Sequence, residues 1–276
     1  MKPERITSLG DPRADVFRNV RDADLRGRDG FFMAESEMVL RRLLRTPERL
    51  HAILLSEERF EKLREDLAAL SDEVRVLVAE SSLIHEIAAF HVHRGVLAAG
   101  YRLPRERLSL PAALGHLRDC PALNIVLAEG WTNVDNMGSL FRNAAAFGVD
   151  AIVLDPTCCD PLYRKSIRVS MGHALSIPYA VSEDWLADLR RLKEEWGVTL
   201  VGAECHPKAV PLWNFPRADR VAIVFGSEAA GLSQDTMRAC DALVEIPMAG
   251  DVSSINVATS AAVFLYELSR GRSEKC

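Results

Sequence analysis

The sequence predicts an α/β protein: a carboxyl-terminal parallel-sheet domain preceded by a smaller α/β domain. Short apolar runs at Asn124–Ala128, Ala151–Leu154, Val198–Gly202 and Val221–Phe225 read as buried strands. Stretches of helical periodicity alternate with them, as in Glu183–Trp196 and Val257–Leu268, which is the pattern of βα units. Polar, glycine-containing loops border three apolar stretches, where ligands collect outside the carboxyl ends of parallel strands. At 276 residues, 48% of them apolar, the chain has enough core for two modest domains.

Taken in order, residues 5 to 30 read as a polar, Arg-rich helical or irregular lead-in. Phe31–Leu44 carries helical periodicity through Met38, Leu40, Leu43 and Leu44. Strands are predicted at Leu50–Leu55, Val74–Val78 and Gly95–Ala99, with helices at Glu57–Leu70 and Ser81–Ala89 between them. The first domain is therefore placed at 1–104. Two prolines and several charges break the periodicity of Leu103–Leu117, so 105–120 reads as a linker and 121–276 as the second domain. There, Leu162–Met171 reads as a helix with Arg164, Lys165 and Arg168 close together, open either to ordinary solvation or to phosphate contact. Ser233–Ala239 reads as a short helix.

Composition removes several function classes. No stretch approaches the roughly 20 apolar residues that span a bilayer, and MKPERITSLGDPR has no apolar signal core. Six cysteines without a CxxC pair read as reduced thiols of a cytoplasmic protein rather than a disulfide framework or a zinc site. His85, His91 and His93 have no carboxylate or cysteine nearby to complete a metal site and read as a polar loop, with RNA contact by His93 or Arg94 as the other reading. The net charge of −5 weighs against a generic nucleic-acid binder. A local basic face can coexist with an acidic total; Arg13, Arg18, Arg21, Arg26, Arg28, Arg41, Arg42 and Arg45 cluster early, interleaved with acids. The G-x-G-x-x-G fingerprint, the Walker A loop and the G-x-S-x-G elbow are all missing, which disfavours a nicotinamide oxidoreductase, a P-loop enzyme and an α/β hydrolase.

Three stretches hold the unusual polar residues. NVDNMGSLFRNAAAFG, Asn133–Gly148, is a loop and then a helix with Arg142 off its apolar stripe and Gly148 at its end. VAIVFGSEAAGL places Glu228 just past a strand. VEIPMAGDVSSINVATSAA, Val244–Ala262, is a strand stopped by Pro247, a loop with Gly250, Ser253 and Ser254 as candidate N-caps, and a helix opened by Asn256. Three such loops suggest one composite pocket.

Together they closely resemble the signature motifs of the SpoU (TrmH) family of RNA ribose 2′-O-methyltransferases in the SPOUT superfamily. The first motif is matched by Asn136, Gly138, Arg142 and the AxxFG ending at Gly148, the second by Phe225, Gly226, Glu228 and Gly231. The third is matched by Ile246-Pro247-Met248, Gly250, Ser254 and Asn256, with Ile255 where the family usually has Leu. Asp160-Pro161 through Arg168-Val169-Ser170-Met171-Gly172 is also similar, and the likeness runs from about Ala122 onward. GFFMAES and HRGVLAAG resemble the L30e-like substrate-binding domain that precedes many SpoU domains.

The resemblance implies a deep trefoil knot and S-adenosyl-L-methionine as cofactor, held by Gly226, Ile246, Met248, Ser254 and Ile255. It implies catalytic or positioning roles for Asn136, Arg142, Glu228, Ser254 and Asn256, a homodimer through the catalytic domain, and RNA as substrate, rRNA ahead of tRNA. The family places Arg142 at the 2′-hydroxyl. A guanidinium stays protonated in proteins, so phosphate binding and alkoxide stabilisation suit Arg142 better than general-base work. Glu228 is expected to orient Arg142 or to bond substrate. A non-catalytic RNA-binding or ribosome-assembly protein on the same fold is the alternative.

Overall fold

The computed structural model describes residues 3–18, 20, 30–92, 95–216 and 218–270. Arg21, Arg26, Arg28, His93 and Arg94, named above, lie outside them. Two compact units emerge. One comprises residues 1–103 with 161–176, the other 104–160 with 177–276.

The first unit is built on a five-stranded mixed sheet. Its strands are β1 (Glu4–Arg5), β2 (Phe31–Glu35), β3 (Leu50–Ser56), β4 (Arg75–Ala79) and β5 (Val96–Tyr101), in the order β1-β4-β3-β5-β2. Helices α1 (Glu37–Leu43), α2 (Glu57–Leu67) and α3 (Ser81–Ala88) connect them. The Ser56 hydroxyl caps α2 by accepting from Arg59 N. One core face gathers Met33, Leu54, Leu77, Ile84, Ile87 and Leu97. Phe31–Leu44 is not one helix. Phe31–Glu35 pairs antiparallel with Leu97–Tyr101, and this tertiary pairing overrides the helical periodicity that begins beyond it. His85 and His91, stacked with ring centroids 4.4 Å apart, are explained locally: His85 Nδ1 accepts the Val92 N–H at 3.0 Å.

Ser36 joins β2 to α1 at φ 91°, a region where a side chain is strained, and its hydroxyl caps nothing. Ser36→Gly is therefore expected to stabilise the protein by about 1 kcal/mol, the relieved strain exceeding glycine's entropic cost. Urea denaturation reads this as a raised midpoint; a lowered one would mean that the hydroxyl contributes more than the strain removes.

The second unit opens with α4 (Leu110–Leu114), inside the predicted linker. This stretch is not a tether: Leu110, Leu114 and Leu117 are buried in the core of the second unit, because their apolar side chains find a sheet to cover. Strand β6 (Leu123–Ala128), helix α5 (Val134–Ala146) and strand β7 (Ala151–Leu154) follow.

The chain then contributes Pro161–Ser176 to the first unit, including α6 (Arg164–Val169). Glu35, only 1% exposed, accepts hydrogen bonds from Arg164 Nη1 at 2.7 Å and Arg168 Nη1 at 3.2 Å. The Arg164 guanidinium also lies 4.0 Å from the Phe90 ring centroid. For these two arginines the expected phosphate contact gives way to a buried carboxylate.

Back in the second unit come β8 (Tyr179–Val181), α7 (Trp185–Glu194), β9 (Thr199–Ala203), β10 (Val210–Pro211), β11 (Arg220–Phe225), α8 (Gln234–Ala239), β12 (Ala242–Glu245) and α9 (Val257–Ser269). The seven strands lie in the order β10-β12-β9-β11-β6-β7-β8, every pairing parallel. Alternate side chains therefore face opposite layers. Ile125, Leu127, Val153, Leu200 and Val224 pack with Leu189, Leu192 and Trp196. Phe225 points the other way and meets Phe264 of α9 edge to face at 5.4 Å. Tyr179 likewise meets Phe141 of α5 at 5.8 Å. Among the described residues no helix is long and apolar enough to cross a membrane. Cys158, Cys159, Cys205 and Cys240 are free thiols, whereas Cys120 is disulfide-bonded, so the reading of every cysteine as reduced is corrected there.

Candidate functional site

Parallel strands bring their carboxyl ends to one edge, and the polar loops meet there. A cavity of about 450 Å³ opens between the ends of β9, β11 and β12 and the start of α9. It is lined by Gly226, Ile246, Met248, Ser254 and Ile255, the residues expected to hold a cofactor, and by Glu228 and Asn256.

Backbone geometry shapes it first. Ser227 and Gly231 exchange backbone hydrogen bonds at 3.2 and 3.0 Å, closing a tight turn after β11. Gly226 has no room for a Cβ, which would fall 2.1 Å from the Gly231 carbonyl carbon. Gly231 sits at φ 64°, the left-handed region that glycine tolerates. Behind the turn, Glu204 Oε2 accepts the Leu232 N–H at 2.8 Å. Trp131 fixes the neighbouring loop, its buried indole donating to Phe225 O at 3.1 Å.

Three side chains, one from each motif, then join. Asn136 Nδ2 and Asn256 Nδ2 both donate to Glu228 Oε1, the latter at 3.0 Å, and Asn256 Nδ2 also meets Asn136 Oδ1 at 3.0 Å. The other end of Asn256 is equally engaged: Oδ1 accepts from Ala258 N at 3.0 Å and Thr259 N at 3.2 Å and caps α9. The cap thus falls on Asn256, not on Ser253 or Ser254. Asn133 caps α5 in the same way. A second cavity of about 330 Å³, lined by Thr132, Asn133, Asn136, Ser227, Glu228 and Val257 among others, shares Glu228 with the first.

Arg142 stands apart. It is exposed on α5, lines neither cavity and has no hydrogen-bond or ion-pair partner among the described residues. Both amides meet Glu228 at Oε1, and no hydrogen bond or ion pair joins Glu228 to Arg142 among the described residues. Ser254 is an exposed wall residue of the first cavity.

Sequence reasoning missed Glu204, Cys205 and Glu245, which also line the first cavity. The signal for the first two was present, since Glu204-Cys205 follows an apolar strand end just as Glu228 does. With Glu228 the wall holds three carboxylates and no Lys, Arg or His. Burial, and then the carboxylates of Glu245 and Glu204, push the Cys205 thiol up from its ordinary value, which keeps it protonated and unreactive. An acidic, partly apolar cavity of this kind suits a flat ligand carrying positive charge, not a polyphosphate. Among the described residues no group of three or more His, Cys, Asp or Glu side chains could hold a metal ion.

Fold and site together define an α/β domain that holds a small ligand at the carboxyl edge of a parallel sheet. More particularly, the chain belongs to the SpoU rRNA Methylase family, whose family model matches residues 123–266. It is 37% identical over 267 residues to an uncharacterized tRNA/rRNA methyltransferase of Mycobacterium tuberculosis, covering 94% of this chain and 89% of that protein. It is 32% identical over 237 residues to the 23S rRNA (guanosine-2′-O-)-methyltransferase RlmB of Escherichia coli, covering 84% of this chain and 94% of RlmB. A solved RNA 2′-O ribose methyltransferase superposes with a TM-score of 0.75 at 26% identity, over 96% of this chain and 98% of its own. The fold is also that of an AdoMet-bound rRNA methyltransferase from Sinorhizobium meliloti, with a TM-score of 0.77 at 23% identity, over 97% of each chain.

Proposed function

We propose that this chain transfers a methyl group from S-adenosylmethionine to a ribose 2′-hydroxyl of RNA, with rRNA as the favoured substrate. The observation that carries the reading is the cavity wall: three glutamates, no basic side chain, and the apolar Ile246, Ile255 and Phe264. A sulfonium cofactor is cationic and carries a flat base, so it fits this wall where a dinucleotide would be repelled. Gly226, Ile246, Met248 and Ile255 would hold the cofactor's base and ribose through their backbone groups, with Ile246 and Ile255 against the ring and Ser254 as a further polar contact.

When bound, the cofactor supplies an electrophilic methyl group. The protein's own work is positioning. Asn136 and Asn256 fix Glu228 through one carboxylate oxygen. The other oxygen has no partner among the described residues and accepts a hydrogen bond from the substrate ribose. Arg142, exposed and unengaged, takes an RNA phosphate and stabilises the developing alkoxide. The family's trefoil threading is proposed for the closing β12–α9 segment. Homodimer contact is proposed through the exposed Val263 and Tyr266 of α9, and light scattering of the purified chain tests it: a monomeric mass would refute it. The site of action is proposed to be the cytoplasm.

The deciding experiment is transfer of a labelled methyl group to unmodified rRNA and tRNA, scored by resistance of one linkage to alkali, which needs a free 2′-hydroxyl. A protected linkage maps the substrate nucleotide. Cofactor binding without transfer would point to an assembled ribosomal particle or another RNA as substrate, and absence of both transfer and cofactor binding would favour the non-catalytic alternative. Arg142→Ala is expected to lower the transfer rate about a hundredfold with the cofactor Kd unchanged in calorimetry. Equal loss of both would make Arg142 a structural residue.

A further inference from the structure

One row of side chains in the first unit runs from the edge of its core out to solvent, with Phe31 packed against the core and Tyr101 exposed. Three adjacent strands carry Phe31 (β2), Tyr101 (β5) and His51 (β3) at the same end of the sheet, and Arg75 follows on β4. Phe31 lies opposite Tyr101 in the register, and Ala52, next to His51, lies opposite Arg75. With strands about 4.8 Å apart, the row extends roughly 14 Å. Phe31 and His51 ring centroids are 4.7 Å apart, and each lies 5.3 Å from Tyr101.

A local irregularity builds this cluster. The β3–β5 register shifts between Leu50 and Ala52, so His51 is the extra residue of a bulge, a device that re-aims a side chain. His51 Nδ1 then lies 2.9 Å from the Tyr101 hydroxyl. Phe31 and His51 are partly buried, while Tyr101 is 44% exposed, a large aromatic area left to solvent. The Arg75 side chain is 48% exposed, with Glu4 at 3.6 Å. Arg102 fixes the other end, donating from Nε to Phe31 O at 2.8 Å. Burial, and then the charge of Arg75, hold His51 below its ordinary pKa, which favours a neutral ring.

We propose that Phe31, His51, Tyr101 and Arg75 form a stacking site for unpaired bases of the RNA substrate, with Arg75 on the adjoining phosphate. Rings present π-faces that any base can stack on, and a flanking arginine meets the backbone charge. The inference rests on RNA being the substrate. It assigns the first unit a contact with single-stranded RNA, in place of the arginines of α6 that Glu35 engages.

The test uses the full chain and a short fluorescein-labelled oligouridine, with fluorescence anisotropy at fixed salt. Tyr101→Ala is expected to weaken binding about tenfold, and Tyr101→Phe, which keeps the ring, to restore it. Arg75→Ala should weaken binding severalfold and reduce the salt slope by about one. Cofactor affinity and thermal midpoint should stay at wild-type values in Tyr101→Ala. Wild-type affinity in Tyr101→Ala, or no binding of the oligonucleotide by the wild-type chain, overturns the site. Failure of the methyltransferase reading is distinguishable, because it would appear as no methyl transfer by the wild-type chain to any RNA.

Discussion

Gly226→Ala is expected to weaken S-adenosylmethionine binding by more than about a hundredfold, and methyl transfer with it. The added Cβ would lie 2.1 Å from the Gly231 carbonyl carbon, 2.2 Å from its oxygen and 2.4 Å from Leu232 N. All three are backbone atoms, so no side-chain rotation can make room. Relief requires opening the Ser227–Gly231 turn and drawing Leu232 N away from Glu204. Overpacking typically costs about 1–3 kcal/mol, and a backbone overlap belongs at the upper end. About 3 kcal/mol directed at the cavity wall corresponds to roughly a hundredfold in Kd. Calorimetric titration with the cofactor reads the effect, and far-ultraviolet circular dichroism reports whether the sheet survives. Wild-type affinity in a folded variant would place the cofactor somewhere other than this turn.

The second large effect is on stability. Glu35→Ala removes the carboxylate from two guanidiniums, one of them, Arg164, only 13% exposed in its side chain. Breaking a buried pair by deleting one partner costs roughly 3–5 kcal/mol, because the remaining charge has been taken out of water. Arg168 is 44% exposed and can rehydrate, so the loss is assigned mainly to Arg164. Urea denaturation of Glu35→Ala should show it, with Glu35→Gln losing less because an amide oxygen still accepts. A loss below about 1 kcal/mol in Glu35→Ala would mean that water reaches the cluster freely.

What could be read from the chain beforehand was local in character. Apolar runs located β6, β7, β9, β11 and β12 of the parallel sheet but not β8 and β10, which are only three and two residues long; Asn136, Glu228 and Asn256 were named from motifs that converge. Their mutual bonding was not readable, since it depends on contacts across 92 and 120 residues of chain. The same reason hid the carboxylate of Glu35, whose partner Arg164 lies 129 residues away. Phe31–Glu35 was misread because its neighbours carry helical spacing, while its pairing partner lies beyond residue 95. The stretch around Leu110–Leu117 was misread for a different reason. Prolines and charges signalled a break in periodicity, but a short helix and the turn that follows it need only three leucines on one side to bury themselves.

The allocation of residues 161–176 to the first unit bears on how such a chain can be inherited and rearranged. A module that starts and stops once can be copied or exchanged as a block. This chain enters the first unit, leaves it, returns and leaves again, so no single breakpoint releases either unit whole. Recombination between related genes at the junction after Leu103 would combine the carboxylate of one parent with the guanidiniums of the other. Lineages carrying this architecture should therefore exchange positions 35, 164 and 168 together, and a mosaic gene that breaks the set should be purged.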